Sequence, residues 1–301
     1  MTAVSASFAP SLLPIRVADR ARAERRDWSQ PLVNVEFEPA HSVLWAFLAA
    51  SAPPHVSFRL LNELSNLTDS IRNGRYGPLR YRVISSRHPR AFSLGGDLRL
   101  FLDLIRAGDQ QKLLAYGKAA VDEVWANITG CGLSDLTTIA LVNREAQGGG
   151  FEAALSCHLL IAERGVHCGF PESLFGLFPG MGGAQLLALR TDPEVAARLL
   201  AKPNRYSVEM LHEIGVIDFL VAAGEGPQFV REIIRDRAAA SIVRHRRQQL
   251  ASATYAELLQ TVERWVEQAL ALSEKDRRSM NYLLNAQHQS ALRAQHTETQ
   301  C

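Results

Sequence analysis

Two glutamates stand out by the company they keep. Glu152 follows the run Gly148-Gly149-Gly150-Phe151, and Glu172 follows Gly169-Phe170-Pro171. A second glycine-rich turn, Pro179-Gly180-Met181-Gly182-Gly183, trails close behind. Each glutamate alone has a bland explanation. A carboxylate in the first turn of a helix is stabilised by the helix dipole whether or not it does chemistry. Two carboxylates in Gly/Pro-rich turns, set among apolar residues, favour another reading. Burial there raises a carboxyl pKa toward neutrality, as acid/base work requires.

A third segment, Ala91-Phe92-Ser93-Leu94-Gly95-Gly96-Asp97-Leu98, also carries adjacent glycines at a strand-to-helix junction. Glycine lets backbone approach a ligand closely, and free N–H groups at such a junction can face a developing negative charge. On its own the segment also reads as a simple turn with Asp97 opening a helix. The triple glycine is neither a Walker loop, since no Gly-Lys-Ser/Thr follows, nor a dinucleotide fingerprint, since the spacing is wrong. A backbone donor beside a first-turn carboxylate suits acyl chemistry better than phosphate binding. No serine sits in a GxSxG elbow. His88, His158 and His167 lack partners at metal spacing, and Cys131, Cys157, Cys168 and Cys301 form no CxxC pair. No metal and no cofactor are expected. Arg144 and Glu145 read as surface residues.

The elements around these turns alternate. Leu32–Glu38 and Ser42–Leu48 read as strands joined through Pro39 and Ala40. Phe58, Leu61, Leu64, Leu67 and Ile71 recur at helical spacing. Leu79–Ser85 is β-rich, and Ser86–Gly96 is turn-rich. Helices are predicted over Leu98–Ile105 and Gln111–Ile128, and a buried parallel-type strand over Thr137–Val142. A helix follows at Phe151–Cys157, then a strand at His158–Ala162. Short helices at Val195–Leu200 and Val208–Glu213 precede a strand at Val216–Val221. From Gln228 to about Gln295 only helical periodicity is visible, broken near Ser252 and Ser273. This order predicts an α/β fold with a helical tail.

Three regions follow: an N-terminal arm over 1–30 with Arg16, Arg20, Arg22, Arg25 and Arg26, a core over 31–225, and a helical region over 226–301. The arm reads as a solvated tail or as a contact for an acidic partner. A net charge of +2 on 301 residues gives no case for nucleic acid. No apolar run approaches the ~20 residues of a membrane span, and the N-terminus lacks a secretory layout, which predicts a cytoplasmic enzyme.

Taken together, the three glycine segments resemble the crotonase (enoyl-CoA hydratase/isomerase) superfamily. The resemblance runs from roughly Val33 to Val221. It implies a ββα spiral core with a C-terminal helical region behind it. It also implies that backbone N–H groups of Leu94 and Gly149 hold the thioester oxygen, and that Glu152 and Glu172 are the two catalytic glutamates, Gly176 completing the second motif. Gly95, Gly148, Phe151, Leu174, Phe175, Leu177 and Met181 are the expected substrate contacts, the large ones lining an apolar acyl channel. Crotonases assemble as trimers or dimers of trimers. The apolar stripe Leu258, Val262, Trp265 and Ala269 suits such a contact and suits packing within the chain equally.

The stretches "LGGDLRLFLDLIRAGD", "GGGFEAALSCHLLIAERGV" and "SEKDRRSMNYLLNAQ" look like the synthases of diffusible signal factor, the bacterial cis-2-unsaturated fatty acids. That resemblance implies dehydration of a 3-hydroxyacyl thioester on acyl carrier protein, hydrolysis to free acid, and a sensor kinase as a further partner. Arg144 and Gln147 depart from the family pattern. Arg87, His88 and Arg90 offer a basic lip for a carrier protein or for coenzyme A phosphates. An enoyl-CoA hydratase/isomerase of fatty-acid metabolism, and a non-catalytic regulatory protein on the same scaffold, are the competing readings.

Overall fold

The computed structural model describes residues 29–285. The basic arm therefore lies, but for its last two residues, outside the described residues, as does Cys301. A six-stranded sheet forms the spine. Its strands are β1 (Val33–Glu38), β2 (Val43–Leu48), β3 (Tyr81–Ser86), β5 (Thr137–Val142), β7 (Leu159–Glu163) and β10 (Phe219–Val221), in that spatial order. Only the β1–β2 hairpin is antiparallel.

Successive side chains of β5 point to opposite faces, and both faces are covered. Ile139 and Leu141 pack with Trp45, Val83 and Val230 on one side. Ala140 and Val142 join the large core beneath the helices on the other. This two-sided burial is why the strand reads as an uninterrupted apolar run.

A second sheet positions the chemistry. It is built from β4 (Ala91–Ser93), β6 (Glu145–Gln147), β8 (His167–Gly169) and β9 (Arg205–Ser207). The first three are parallel neighbours, so their carboxyl ends lie side by side. Each of those ends runs into one of the three glycine-bearing segments. The sequence reading missed this sheet, because three-residue strands are too short to show alternation. It also missed the helix Gly183–Arg190.

Helices close the site from above. These are α1 (Phe58–Arg72), α2 (Leu98–Ala107), α3 (Gln110–Ile128) and α4 (Gly149–Leu155). Their starts are set by side chains: Ser57, Asp97 and Asp109 accept the N–H groups of Leu60, Leu100 and Lys112. Asp97 thus is the helix cap that the bland reading proposed.

The tail folds back on its own core. The helix Tyr255–Leu270 opens with a capping box at Thr254 and Glu257. Its stripe of Leu258, Val262, Trp265 and Ala269 is buried within the chain, not left exposed. Small residues opposite make the approach close: a Cβ on Gly117 would lie 2.3 Å from Val262, and one on Gly182 2.3 Å from Leu258. The preceding helix, Arg237–Leu250, is tied down through buried charge. Arg246 Nε donates to Asp218 Oδ1 at 2.7 Å, and Arg190 Nη1 donates to Asp218 Oδ2 at 3.2 Å.

Candidate active site

The carboxyl ends of β4, β6 and β8 open on one pocket, the position where ligands sit in open parallel sheets. Both Glu152 and Glu172 line it.

Glu152 sits in the first turn of α4 and is fully buried. Its Oε1 accepts two main-chain N–H groups, from Met181 at 2.8 Å and Gly183 at 2.8 Å. The Pro179–Gly183 turn therefore serves as a clamp for this carboxylate. Burial raises its pKa to about 7, against the two N–H groups, which favour the charged form.

Glu172 opens a short 3-10 helix behind Pro171. Its Oε2 is buried without a hydrogen-bond partner among the described residues. Such an orphaned oxygen is costly and marks a group kept for a ligand or a proton. Burial, reinforced by the charge of Glu152, raises its pKa to about 8. Around neutral pH the pair therefore holds about one proton, placed mainly on Glu172.

The expected oxyanion donors need one correction. Leu94 lines the pocket, but its N–H is already donated to Pro54 O at 2.7 Å. The N–H groups of Gly96 and Gly149 have no acceptor among the described residues. These two turns meet: a Cβ on Gly95 would lie 3.1 Å from Gly149 N, and one on Gly149 3.9 Å from Gly96 N. Gly96, two residues beyond the expected position, is the free donor on this side. Only the fold shows that Pro54 O occupies the Leu94 N–H.

The expected acyl contacts divide. Gly95, Phe175, Leu177 and Met181 line the pocket. Phe151 does not; its ring packs against Phe170 at 5.2 Å, behind the site. Leu174 is 52% exposed and is not among the residues lining the pocket. Gly148 backs Glu172 instead of facing substrate. The remaining wall comes from residues the sequence reading assigned to no site. Leu61 and Leu64 of α1, Phe101 of α2, Tyr116 and Ala120 of α3, and Val262 and Trp265 of the tail all contribute. Their helical spacing announced a buried face, but not which cavity it would border.

The basic lip is largely spent within the chain. Arg87 pairs with Glu36 and stacks over Phe47 at 4.2 Å. His88 Nδ1 accepts the N–H groups of Arg90 and Ala91. Arg144 donates to Pro89 O, and Glu145 pairs with Arg205 at 3.0 Å, so those neighbours do not pair with each other. His158 is structural: Nδ1 accepts the Thr138 N–H, Nε2 meets Ile128 O, and burial lowers its pKa to about 4. Among the described residues no cluster of metal-ligating side chains occurs, the three cysteines are free and buried, and no helix is long and apolar enough to cross a membrane.

The fold is that of the crotonase class, with Glu152 fully buried and Glu172 half-buried at the strand ends. Residues 58–295 match the enoyl-CoA hydratase/isomerase family, and the chain belongs to that family. It is similar to a probable enoyl-CoA hydratase of Bacillus subtilis, with 28% identity over 57% of this chain and 64% of that protein. The chain spans less than two thirds of the curated relatives it first matches. Among solved structures, the enoyl-CoA hydratase of Bacillus halodurans superposes with a TM-score of 0.68 at 21% identity, over 83% of this chain and 99% of that one. DspI of Pseudomonas aeruginosa superposes with a TM-score of 0.55 at 24% identity, over 79% and 81%. Both likenesses are of fold.

Proposed function

We propose that this protein is a synthase of a cis-2-unsaturated fatty acid signal, acting on a 3-hydroxyacyl thioester of acyl carrier protein and releasing the free acid. The observation that carries the thioester chemistry is the pairing of fully buried Glu152 with half-buried Glu172, sharing about one proton, beside two main-chain N–H groups that have no acceptor among the described residues, at an apolar pocket.

The thioester oxygen takes the N–H groups of Gly96 and Gly149. One carboxylate removes the C2 proton, and the electron pair moves onto the carbonyl oxygen as an enolate. Enolate collapse forms the C2–C3 double bond and breaks the C3–O bond, and the second glutamate protonates the departing hydroxyl, which leaves as water. One preorganised donor at such an oxyanion is worth about 3–4 kcal/mol. In the hydrolytic step a glutamate takes a proton from water as it attacks the carbonyl carbon. The C–S bond then breaks, and the carrier thiol leaves with a proton from the other glutamate.

The synthase reading rests on the three sequence stretches that resemble signal synthases. A second reading, an enoyl-CoA hydratase, is supported by the family match and by the hydratase relative. Ionised Glu152 would activate water for addition at C3, and protonated Glu172 would deliver a proton to C2. A carrier comparison decides between them. Mass spectrometry after incubation with 3-hydroxydodecanoyl carrier protein yields free cis-2-dodecenoic acid on the synthase reading. No conversion there, with rapid hydration of enoyl-CoA, returns the protein to the hydratases.

A further inference from the structure

The pocket continues past the glutamates, and α3 supplies one of its walls. Tyr116, Gly117, Ala120 and Glu123 all line it, the positions of one helical face. Tyr116 marks the thioester end, since its Oη donates to Val56 O at 2.6 Å beside Gly96. Glu123 lies seven residues further along, about 10 Å at the rise of an α-helix. The wall between them is apolar, completed by Leu61, Leu64 and Val262. Glu123 is the one charged residue lining the pocket apart from the catalytic pair, among the described residues.

Glu123 is held in place. Arg82, wholly buried, donates Nη2 to Glu123 Oε2 at 3.3 Å and Nη1 to Thr68 Oγ1 and Cys131 Sγ. Glu123 also borders a separate surface hollow with Asp122 and Tyr255. It is thus the partition between the acyl pocket and outside water.

We infer that Glu123, fixed by Arg82, is the floor of the acyl pocket and sets the longest acyl chain the protein accepts. This rests on the reading that the pocket holds an acyl tail. A medium-length tail stops short of the carboxylate. A longer one must press its alkyl end against a buried charged pair and strip away the solvent that remains, which is unfavourable.

The test is binding of free fatty acids, decanoate through hexadecanoate, by titration calorimetry, with turnover of 3-hydroxyacyl thioesters of the same lengths beside it. Removing Glu123 alone would leave Arg82 buried and uncompensated, so the variant is Arg82→Met with Glu123→Ala. The wild type is expected to bind hexadecanoate at least tenfold more weakly than dodecanoate. The double variant is expected to close that gap to about twofold, as a ratio of Kd. Ala120→Phe, which leaves the charged pair intact, is expected to move the limit to shorter chains. Equal binding of dodecanoate and hexadecanoate by the wild type would overturn the inference. So would an unmoved limit in a folded double variant, or in Ala120→Phe should the double variant not fold. A limit that moves in a protein turning over no thioester would sink the proposed reaction and leave Glu123 as the floor.

Discussion

A Cβ on Gly148 would stand 2.3 Å from Oε1 of Glu172. The first glycine of the triple run therefore makes room for the second glutamate, although the two lie on different loops. Gly148 also holds φ 50° and ψ −127°, a conformation closed to other residues. Gly148→Ala is expected to destabilise the fold by about 1–3 kcal/mol and to displace Glu172. Denaturant unfolding beside turnover checks this; an alanine variant with unchanged stability and rate would contradict it.

The glutamate pair predicts the pH profile of turnover. On the proposed reaction one carboxyl must be ionised and one protonated, with pKa values of about 7 and 8. kcat/KM should follow a narrow bell between those limbs. Glu152→Gln and Glu172→Gln should each lower the rate by about 10²–10⁴. A flat profile from pH 6 to 9, taken as roughly one unit beyond each limb, would argue against a shared proton.

The same pKa values make stability depend on pH. Above about pH 4.5 the unfolded chain releases both protons, while the native state keeps them up to about 7 and 8. The native state binds more protons through that window, so stability falls as pH rises across it. Glu172→Gln, which carries no proton to lose, should be more stable than the wild type above pH 8, by about 1–3 kcal/mol. It should approach the wild type below pH 5. Urea melts at the two pH values would show this, and a variant equally destabilised at both would not fit.

Hydrogen exchange separates the candidate oxyanion donors. The Leu94 N–H, held by Pro54 O, should be protected with and without ligand. The Gly96 and Gly149 N–H groups should gain protection only when a non-hydrolysable acyl thioester analogue binds. Protection gained at Leu94 instead would restore the position first expected from sequence.

These particulars show how far sequence reading reached. The spine was legible because β5 and β7 are long enough to show apolar runs, and α1 to show its period. Glu152 and Glu172 stood out because glycine and proline around them are costly without a reason. The small sheet was not legible, since β4, β6 and β8 have three residues each. Nor was the pocket wall, since residues as distant as Leu61, Ala120 and Val262 meet only through tertiary packing. That the Leu94 N–H is not free was not legible, because the bond to Pro54 leaves no mark on the local sequence.

The most direct test of the central claim follows one substrate through three proteins. 3-Hydroxydodecanoyl carrier protein would be incubated with the wild type, Glu152→Gln and Glu172→Gln, and the products quantified by mass spectrometry. The account predicts free cis-2-dodecenoic acid from the wild type and at least about 10²-fold less from each variant, with the variants still binding substrate. Unchanged turnover in both variants would show that the Glu152–Glu172 pair does not carry the reaction.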